Sequence, residues 1–474
     1  MPQRTRQTRP SKKKPMRSFN ATVGALSTPP GKGGVALIRV SGAQAISITD
    51  ACFRAKSGKA LKDTPSRVAV YGDFLYKGVP VDDVMVTVFR APHSYTGEDT
   101  AEITCHGSML VAKTILSALF EAGAMPAERG EFTRRALVNG KLSLTEAEAI
   151  GELLDAKSFA QIKLFERSSR SRLSEALASL YDRLTALVSA VYAKIDYPDE
   201  DLADMSAEQI AAEAEAVLAD TLRLADTYRT GRAIAEGIPT VLLGKPNTGK
   251  SSLYNLLCGE DAAIVTEYAG TTRDVLESTV CVGRTLLRLW DTAGVRDTLD
   301  PVEKIGVERS RERAKNAELI LTLFDASLPF DTEDEALLAF VDTLSGHKLA
   351  LLNKSDLPLA LAKERLDGHF DFVLPISAGK GDTASLMSYI DETFTDGSIT
   401  VGEDAILSSA RQASAVTAAA DHIRTATQAL RAGCELDAAV SDLELALSAL
   451  SETDGRAVSE DVVSGIFSRF CVGK

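Results

Sequence analysis

Between Ile238 and Cys258 the chain runs from an apolar stretch, Pro239–Leu243, through the octet Gly244-Lys-Pro-Asn-Thr-Gly249-Lys250-Ser251 into a helix-forming segment, Ser252–Cys258. The octet satisfies GxxxxGK[ST], and its setting restricts the fold severely. Its glycines let consecutive backbone N–H groups curl around phosphate, and the start of the following helix adds partial positive charge. Such a loop works only when a buried strand feeds it and a helix leaves it. An α/β sheet is therefore required. Lys250 is placed to reach the β- and γ-phosphates, with Ser251 on Mg²⁺ and Asn247, Thr248, Gly249 and Ser252 around the nucleotide.

The sequence around the octet supplies the rest of such a sheet. Apolar runs at Leu286–Asp291, Leu319–Phe324, Leu349–Leu352 and Phe372–Ile376 alternate with helical segments, which reads as a mostly parallel α/β domain over residues 237–396. Three of these runs end in polar motifs. Asp291-Thr292-Ala293-Gly294 would reach Mg²⁺ through water and the γ-phosphate through the Gly294 amide. Asn353-Lys354-Ser355-Asp356 places a carboxylate to accept from guanine N1–H and the 2-amino group, which adenine cannot supply, with the Lys354 stem over the base. Ser377-Ala378-Gly379 would bring a backbone amide to the guanine carbonyl. Four elements in this order specify GTP.

The segment from Thr266 to Asp274 is the candidate switch. Thr266, Glu267, Tyr268, Ala269, Gly270 and Thr271 line the nucleotide, and Thr272 is the ligand to Mg²⁺ and γ-phosphate. Arg273 is either an arginine finger or, being followed by Asp274, a structural ion pair, and the ion pair is the preferred reading. Val295 stands where many GTPases carry a glutamine that positions water. A valine cannot orient water, so the catalytic group must come from elsewhere.

Outside this domain the chain reads as a multidomain α+β and α/β protein. Residues 18–139 mix short β-rich runs (Val35–Val40, Val84–Phe89, Glu102–Cys105) with helix such as Leu110–Ala122. Residues 140–236 and 397–474 are Ala- and Leu-rich helix, with apolar spacing such as Leu177, Leu180, Leu184 and Leu187. Helix on both sides of an α/β unit suggests one helical domain with that unit inserted. Asp196-Tyr-Pro-Asp-Glu-Asp reads as a turn, with a metal site as the minor alternative.

Charge is uneven along the chain. Seven basic residues and no acids lie in residues 1–17, so the net −13 of the whole chain becomes −20 over residues 18–474. An acidic body is poorly suited to broad nucleic-acid binding, which needs clustered Lys and Arg. The basic tail is expected to be disordered. Its readings are a start codon placed before Met16, an inert tail, a nucleic-acid-binding arm or a transit peptide, the first two being preferred. Six cysteines without CxxC argue against zinc and a disulfide framework, and imply a reducing cytoplasm. No apolar run approaches membrane-spanning length.

Several motifs together resemble the bacterial tRNA-modification GTPase family MnmE (TrmE) over roughly residues 18–474. They are Thr28-Pro-Pro-Gly31-Lys-Gly-Gly34, Tyr95-Thr-Gly-Glu-Asp99, Gly130-Glu-Phe-Thr133, Asn139-Gly-Lys141-Leu, Gly270-Thr-Thr-Arg-Asp274 and the C-terminal Phe470-Cys-Val-Gly-Lys474. The resemblance implies a folate-binding-like N-terminal domain that dimerises, a helical domain with an inserted GTPase domain, and K⁺-dependent hydrolysis. K⁺ would be held by Asn247, Thr266, Tyr268 and Thr271. Glu303 matches the family's catalytic glutamate, acting with Lys250 and Thr272. Arg39, Glu102, Lys141 and Lys474 match the folate-binding positions for a 5,10-methylene- or 5-formyltetrahydrofolate. Three departures are visible: Ser108 for glycine, Arg129 for proline and Val472 for isoleucine. Cys471 is either a small packed residue or a thiol beside the folate pocket.

The function so implied is GTP hydrolysis coupled, with the flavoprotein MnmG in a heterotetramer, to adding a carboxymethylaminomethyl or aminomethyl group at carbon 5 of the wobble uridine of certain tRNAs. The principal alternative is a GTP-switched ribosome-assembly factor binding ribosomal RNA. Against it, the C-terminal segment of this chain is Ala- and Leu-rich helix without the basic Gly-x-x-Gly loop of the KH-like domain such factors usually append. A folate-binding scaffold with a degenerate GTPase domain conflicts with intact Lys250, Ser251, Thr272 and Asp291.

Overall fold

The computed structural model describes residues 21–196, 206–257, 277–290, 312–432, 436–454, 460–468 and 470–473. These fall into two units. One comprises the chain up to Ala147 together with the segment from Val458 onward, and the other is Glu148–Ala457.

In the first unit the strands β1 (Val23–Leu26), β2 (Val35–Ser41), β3 (Phe53–Ala55), β4 (Ala69–Tyr76), β5 (Val79–Phe89), β6 (Thr100–His106) and β7 (Met125–Pro126) form one sheet in the order β3-β4-β5-β6-β2-β1-β7. Its pairs are antiparallel except β1 with β7. One face carries the apolar alternates Ile38 and Val40 of β2 and Val84, Val86 and Val88 of β5, all buried. Helices α1 (Ala45–Ala51) and α2 (Met109–Glu121) cover that core through Ile48, Ile115 and Leu119. A two-residue side-chain period with one solvated face is what an antiparallel sheet demands. The helix α3 (Glu131–Val138) follows β7.

The second unit begins within α4 (Leu144–Leu154) and continues through α5 (Phe159–Phe165), α6 (Arg167–Asp196) and α7 (Ala207–Ala235). Capping boxes start α5 (Ser158 with Gln161) and α7 (Ser206 with Gln209). Then come β8 (Ile238–Gly244), α8 (Lys250–Leu257), β9 (Glu277–Val282), β10 (Thr285–Trp290), β11 (Leu319–Asp325), α9 (Thr332–Asp342), β12 (His347–Asn353), β13 (Phe372–Pro375) and α10 (Ala384–Phe394). The sheet order is β13-β12-β11-β8-β10-β9, parallel throughout except for the β9–β10 hairpin. β8 and β11 are buried over nearly their whole length, because helices cover both faces of a parallel sheet. Their unbroken apolar runs are legible for that reason. The hairpin strand β9 is an addition to the sequence reading. It turns through Gly283, whose φ of +58 suits glycine.

Helices on either side of this sheet share one core. Leu177, Leu180, Leu184 and Leu187 of α6 pack with Ile210 and Val217 of α7, with Val416 and Ile423 of α11 (Ala410–Arg431), and with Leu443 and Leu450 of α12 (Leu436–Asp454). Each fully buried leucine contributes about 2 kcal/mol, so this shared seam is the energetic reason the α/β unit is an insertion. The returning chain approaches α7 closely: a Cβ on Gly231 would lie 2.0 Å from the Leu407 carbonyl oxygen. Helix α11 starts at Ala410, because the Ser409 hydroxyl accepts from the Gln412 amide and sets the N-terminus there.

The C-terminal segment differs from a continuous bundle. Helix α13 (Glu460–Ser468) and the residues after it belong to the first unit, where Gly130 is so close that its Cβ would lie 2.9 Å from the Phe467 carbonyl oxygen. The acidic break from Tyr197 to Asp201 lies outside the described residues, between α6 and α7. So does the basic tail.

Candidate functional site

The loop between β8 and α8 is shaped by three left-handed residues: Gly244 (φ +146), Asn247 (φ +65) and Gly249 (φ +98). Close neighbours explain the glycines. A Cβ on Gly244 would meet the Leu323 carbonyl oxygen at 2.6 Å, and one on Gly249 would meet Asn353 Nδ2 at 2.1 Å. The buried Thr248 turns its hydroxyl back to the Lys245 carbonyl, 2.8 Å away. Lys250 Nζ donates to the carbonyls of Gly244 (2.7 Å) and Lys245 (2.6 Å), which holds the ammonium inside the curl. Ser251 and Ser252 are exposed on the first turn of α8. Helix start, ammonium and glycine-lined cradle together suit a polyphosphate.

A second group of residues faces this loop. Asn353, at the end of β12 and 2% exposed, donates from Nδ2 to the Thr248 carbonyl (2.7 Å) and accepts at Oδ1 from the Ala378 amide (2.9 Å). One side chain therefore ties three loops together. Asp356 accepts from the Ser377 hydroxyl at 2.7 Å and pairs with Lys380 at 3.3 Å. The Ser377 hydroxyl, with Lys380 beyond it, holds the Asp356 carboxyl below the usual aspartate range. The carboxylate is thus ionised and oriented, as acceptance from two guanine N–H groups requires. Lys354 adopts φ +62, and its ammonium pairs with Asp325 at 2.5 Å. Burial of Asp325 opposes its charge, but the bonds from Lys354 and Ser327 outweigh that and lower its pKa. Ser355 is fixed by its amide donating to Ile376 (3.1 Å), and Gly379 is exposed beside Ala378.

Thr266, Glu267, Tyr268, Ala269, Gly270, Thr271, Thr272, Asp291, Thr292, Ala293, Gly294, Glu303 and Lys474 lie outside the described residues, as do Arg273 and Val295.

In the first unit, Arg39 and Glu102 are cross-strand partners on β2 and β6. They pair with each other, Arg39 Nε to Glu102 Oε1 at 2.9 Å. The Arg39 guanidinium also lies over the rings of Tyr95 (5.2 Å) and Phe132 (5.6 Å). Those two aromatics sit inside motifs the sequence singles out, yet their place beside Arg39 is visible only in the fold. Lys141 is exposed just after α3, with its Cγ 3.2 Å from where a Cβ on Gly97 would stand. Beneath them, fully buried Arg135 forks onto Glu98 (3.0 and 3.1 Å) and reaches Glu131 (2.8 Å).

The C-terminal motif is seated on this unit. Ser27 Oγ donates to the Gly473 carbonyl at 2.8 Å, Arg129 and Val472 form an antiparallel bridge, and the Gly130 amide donates to Cys471 at 3.4 Å. Gly473 has φ +103, and its Cβ would fall 2.1 Å from the Leu26 carbonyl oxygen. The departures at Ser108 and Arg129 are accommodated. Ser108 precedes α2 at φ −106, where glycine has no advantage, and Arg129 joins the tail through its backbone. Cys471 is exposed.

A six-stranded sheet of this order, with phosphate and guanine loops at the carboxyl ends of its strands, defines a P-loop guanine-nucleotide-binding domain, here inserted into a helical bundle. The chain matches the family model "MnmE helical domain" over residues 144–471 and "GTP-binding protein TrmE N-terminus" over residues 22–141. It is 38% identical over 466 residues to the tRNA modification GTPase MnmE of Geobacillus kaustophilus, covering 96% of this chain and 99% of the relative. The MnmE of Clostridioides difficile is 35% identical (96% and 99% covered), and that of Thermotoga maritima 37% identical (96% and 100% covered). A solved structure of an Aquifex aeolicus Era variant bound to GDP.AlF4- aligns with TM-score 0.27 and 23% identity, over 39% of this chain and 65% of that chain. The chain belongs to the MnmE family of tRNA modification GTPases.

Proposed function

We propose that this GTPase acts in tRNA modification through K⁺-dependent hydrolysis, working in the cytoplasm as a homodimer with the flavoprotein MnmG to build a carboxymethylaminomethyl or aminomethyl group on carbon 5 of the wobble uridine. The observation that carries the nucleotide part is the Asn353 side chain, which joins the phosphate loop, the Asp356 loop and the Ser377-Ala378 turn into one guanine-reading site.

Within that site the chain's own groups divide the work. Asp356 accepts from the guanine edge, while Lys250 and the amides around Gly249 hold the phosphates in line for attack. Ser251 and Thr272 would hold Mg²⁺; Asn247, Thr266, Tyr268 and Thr271 would hold K⁺. The K⁺ would supply the positive charge that an arginine finger provides in other GTPases. Asn247 suits such a role, being exposed with its backbone already left-handed. Glu303 would orient the attacking water indirectly.

The folate reading rests on the first unit. Arg39 with its aromatic neighbours, Lys141 and the seated C-terminal tail gather cationic and flat surfaces of the kind a pteroylglutamate needs, and Lys474 directly follows the anchored Gly473. When bound, the reduced folate supplies the one-carbon unit. The assembly-factor alternative is not favoured, since the segment after the sheet builds α11 and α12 into the same core as α6 and α7.

Mass spectrometry of tRNA nucleosides tests this reading. A deletion strain should lose the modified wobble uridine, and the wild-type gene but not Lys250→Ala should restore it. Unchanged nucleosides in the deletion strain would overturn the proposal.

A further inference from the structure

Lys245, the second residue of the phosphate loop, occupies a position at which the motif specifies no residue type, and its side chain has no expected contact with nucleotide. Its side chain is nevertheless largely enclosed, 15% exposed. Its ammonium bonds Asp331 Oδ2 at 2.7 Å and Asp334 Oδ2 at 2.8 Å. These carboxylates are the capping box of α9: Asp331 Oδ1 accepts from the amides of Glu333 (2.9 Å) and Asp334 (3.1 Å), and Asp334 Oδ2 accepts from the Asp331 amide (3.1 Å). Burial works against the Lys245 charge, but the two carboxylates outweigh it and raise its pKa.

The other end of the residue is held as firmly. Its carbonyl accepts from Lys250 Nζ at 2.6 Å and from Thr248 Oγ1 at 2.8 Å. Pro246, with its fixed φ, follows immediately, and the left-handed Asn247 comes next. The backbone of the loop is thus pinned at one residue, from outside by α9 and from inside by the motif lysine.

We propose that Lys245 is a positioning residue for phosphate binding: clamped to the capping box of α9, it fixes the curl that presents backbone amides and Lys250 to the β- and γ-phosphates. The inference rests on the reading of this loop as the GTP site and adds to it a residue that touches no ligand. Releasing the clamp lets the curl relax, so the phosphate-dependent part of affinity falls. The base-dependent part, set by Asp356 and Asn353, stays.

The test uses the full-length chain with mant-GDP as probe and GDP, GTP and GMP as competitors. For Lys245→Met the Kd for GDP and GTP should rise roughly 10- to 100-fold, the range for losing charge-assisted hydrogen bonds. The GMP value should stay near wild type, because GMP has no β-phosphate. Lys245→Arg should restore most of the loss. Asp331→Asn keeps its helix-capping oxygen and should shift GDP in the same direction by less. A merely structural role would weaken GMP and GDP alike. That result, or wild-type GDP affinity in Lys245→Met, would overturn the proposal. Failure of the wild-type protein to bind GDP would instead overturn the reading of the site, and this inference with it.

Discussion

Asn353 Nδ2 donates to the Thr248 carbonyl across 2.7 Å, so the loop that reads the base is bonded directly to the loop that holds the phosphates. The contact has no slack on either side, since the nearby Gly249 leaves no room for a Cβ beside the same nitrogen. Asn353→Ala would strand the buried Thr248 carbonyl and the Ala378 amide together. Each unsatisfied buried group costs about 1–3 kcal/mol. Urea unfolding followed by tryptophan fluorescence should show a loss within that range or its double, and GDP affinity should fall at least tenfold.

In the proposed site Asp356 is the residue that would select the base. Asp356→Asn replaces one acceptor pair by an acceptor and a donor, which suits a carbonyl at the purine 2-position instead of an amino group. Affinity should pass from GTP to xanthosine triphosphate, by more than tenfold in each direction, as two charge-assisted hydrogen bonds are exchanged. Competition against mant-GDP measures it. In the unaltered protein the Ser377 link depresses the Asp356 pKa below its ordinary 3.8. Its contribution is complete above 3.8 and is lost only as pH falls through the lower folded value. GDP affinity should therefore show no titration of this group between about pH 5 and 8, and a carboxylate step within that window would contradict the assignment.

Much of this site is legible in the sequence because its chemistry is local. The octet and Asn353 to Asp356 each follow a run of apolar residues that is mostly buried, where strand ends are sharp, whereas Ser377-Ala378 follows the edge strand β13, whose ends Phe372 and Pro375 are exposed. β4 is less visible: its burial alternates with exposed positions such as Tyr71, and β5 opens on Pro80, Asp82 and Asp83 before its apolar half. The side-chain partners are harder still. Nothing in sequence spacing joins Lys245 to Asp331, or Arg39 to Phe132, because those contacts come from sheet order. The return of α13 to the first unit is likewise a long-range contact that helical periodicity cannot encode.

The tail depends on a glycine. Gly473→Ala would need φ +103 and would drive its methyl into the Leu26 carbonyl. The variant should bind 5-formyltetrahydrofolate at least tenfold more weakly by calorimetry while GDP affinity stays within twofold, as expected when a separate site loses its geometry. Equal folate affinity in both proteins would separate the tail from the folate site.

Thiol reactivity should divide the cysteines. Burial pushes the Cys105 thiol up to about 11, with the nearby Asp82 charge adding to the effect, whereas Cys471 is exposed. Native protein treated with iodoacetamide at about pH 8 and mapped by mass spectrometry should carry label at Cys471 and none at Cys105 until it is unfolded.

K⁺-dependent hydrolysis through Glu303 is tested by GTP turnover of the purified chain in KCl and in NaCl, with and without Glu303→Ala. Hydrolysis should be fast in K⁺, at least tenfold slower in Na⁺, and lost in Glu303→Ala while GDP binding persists, the pattern of a group acting only in the transition state. Equal rates in both salts, untouched by the substitution, would contradict it.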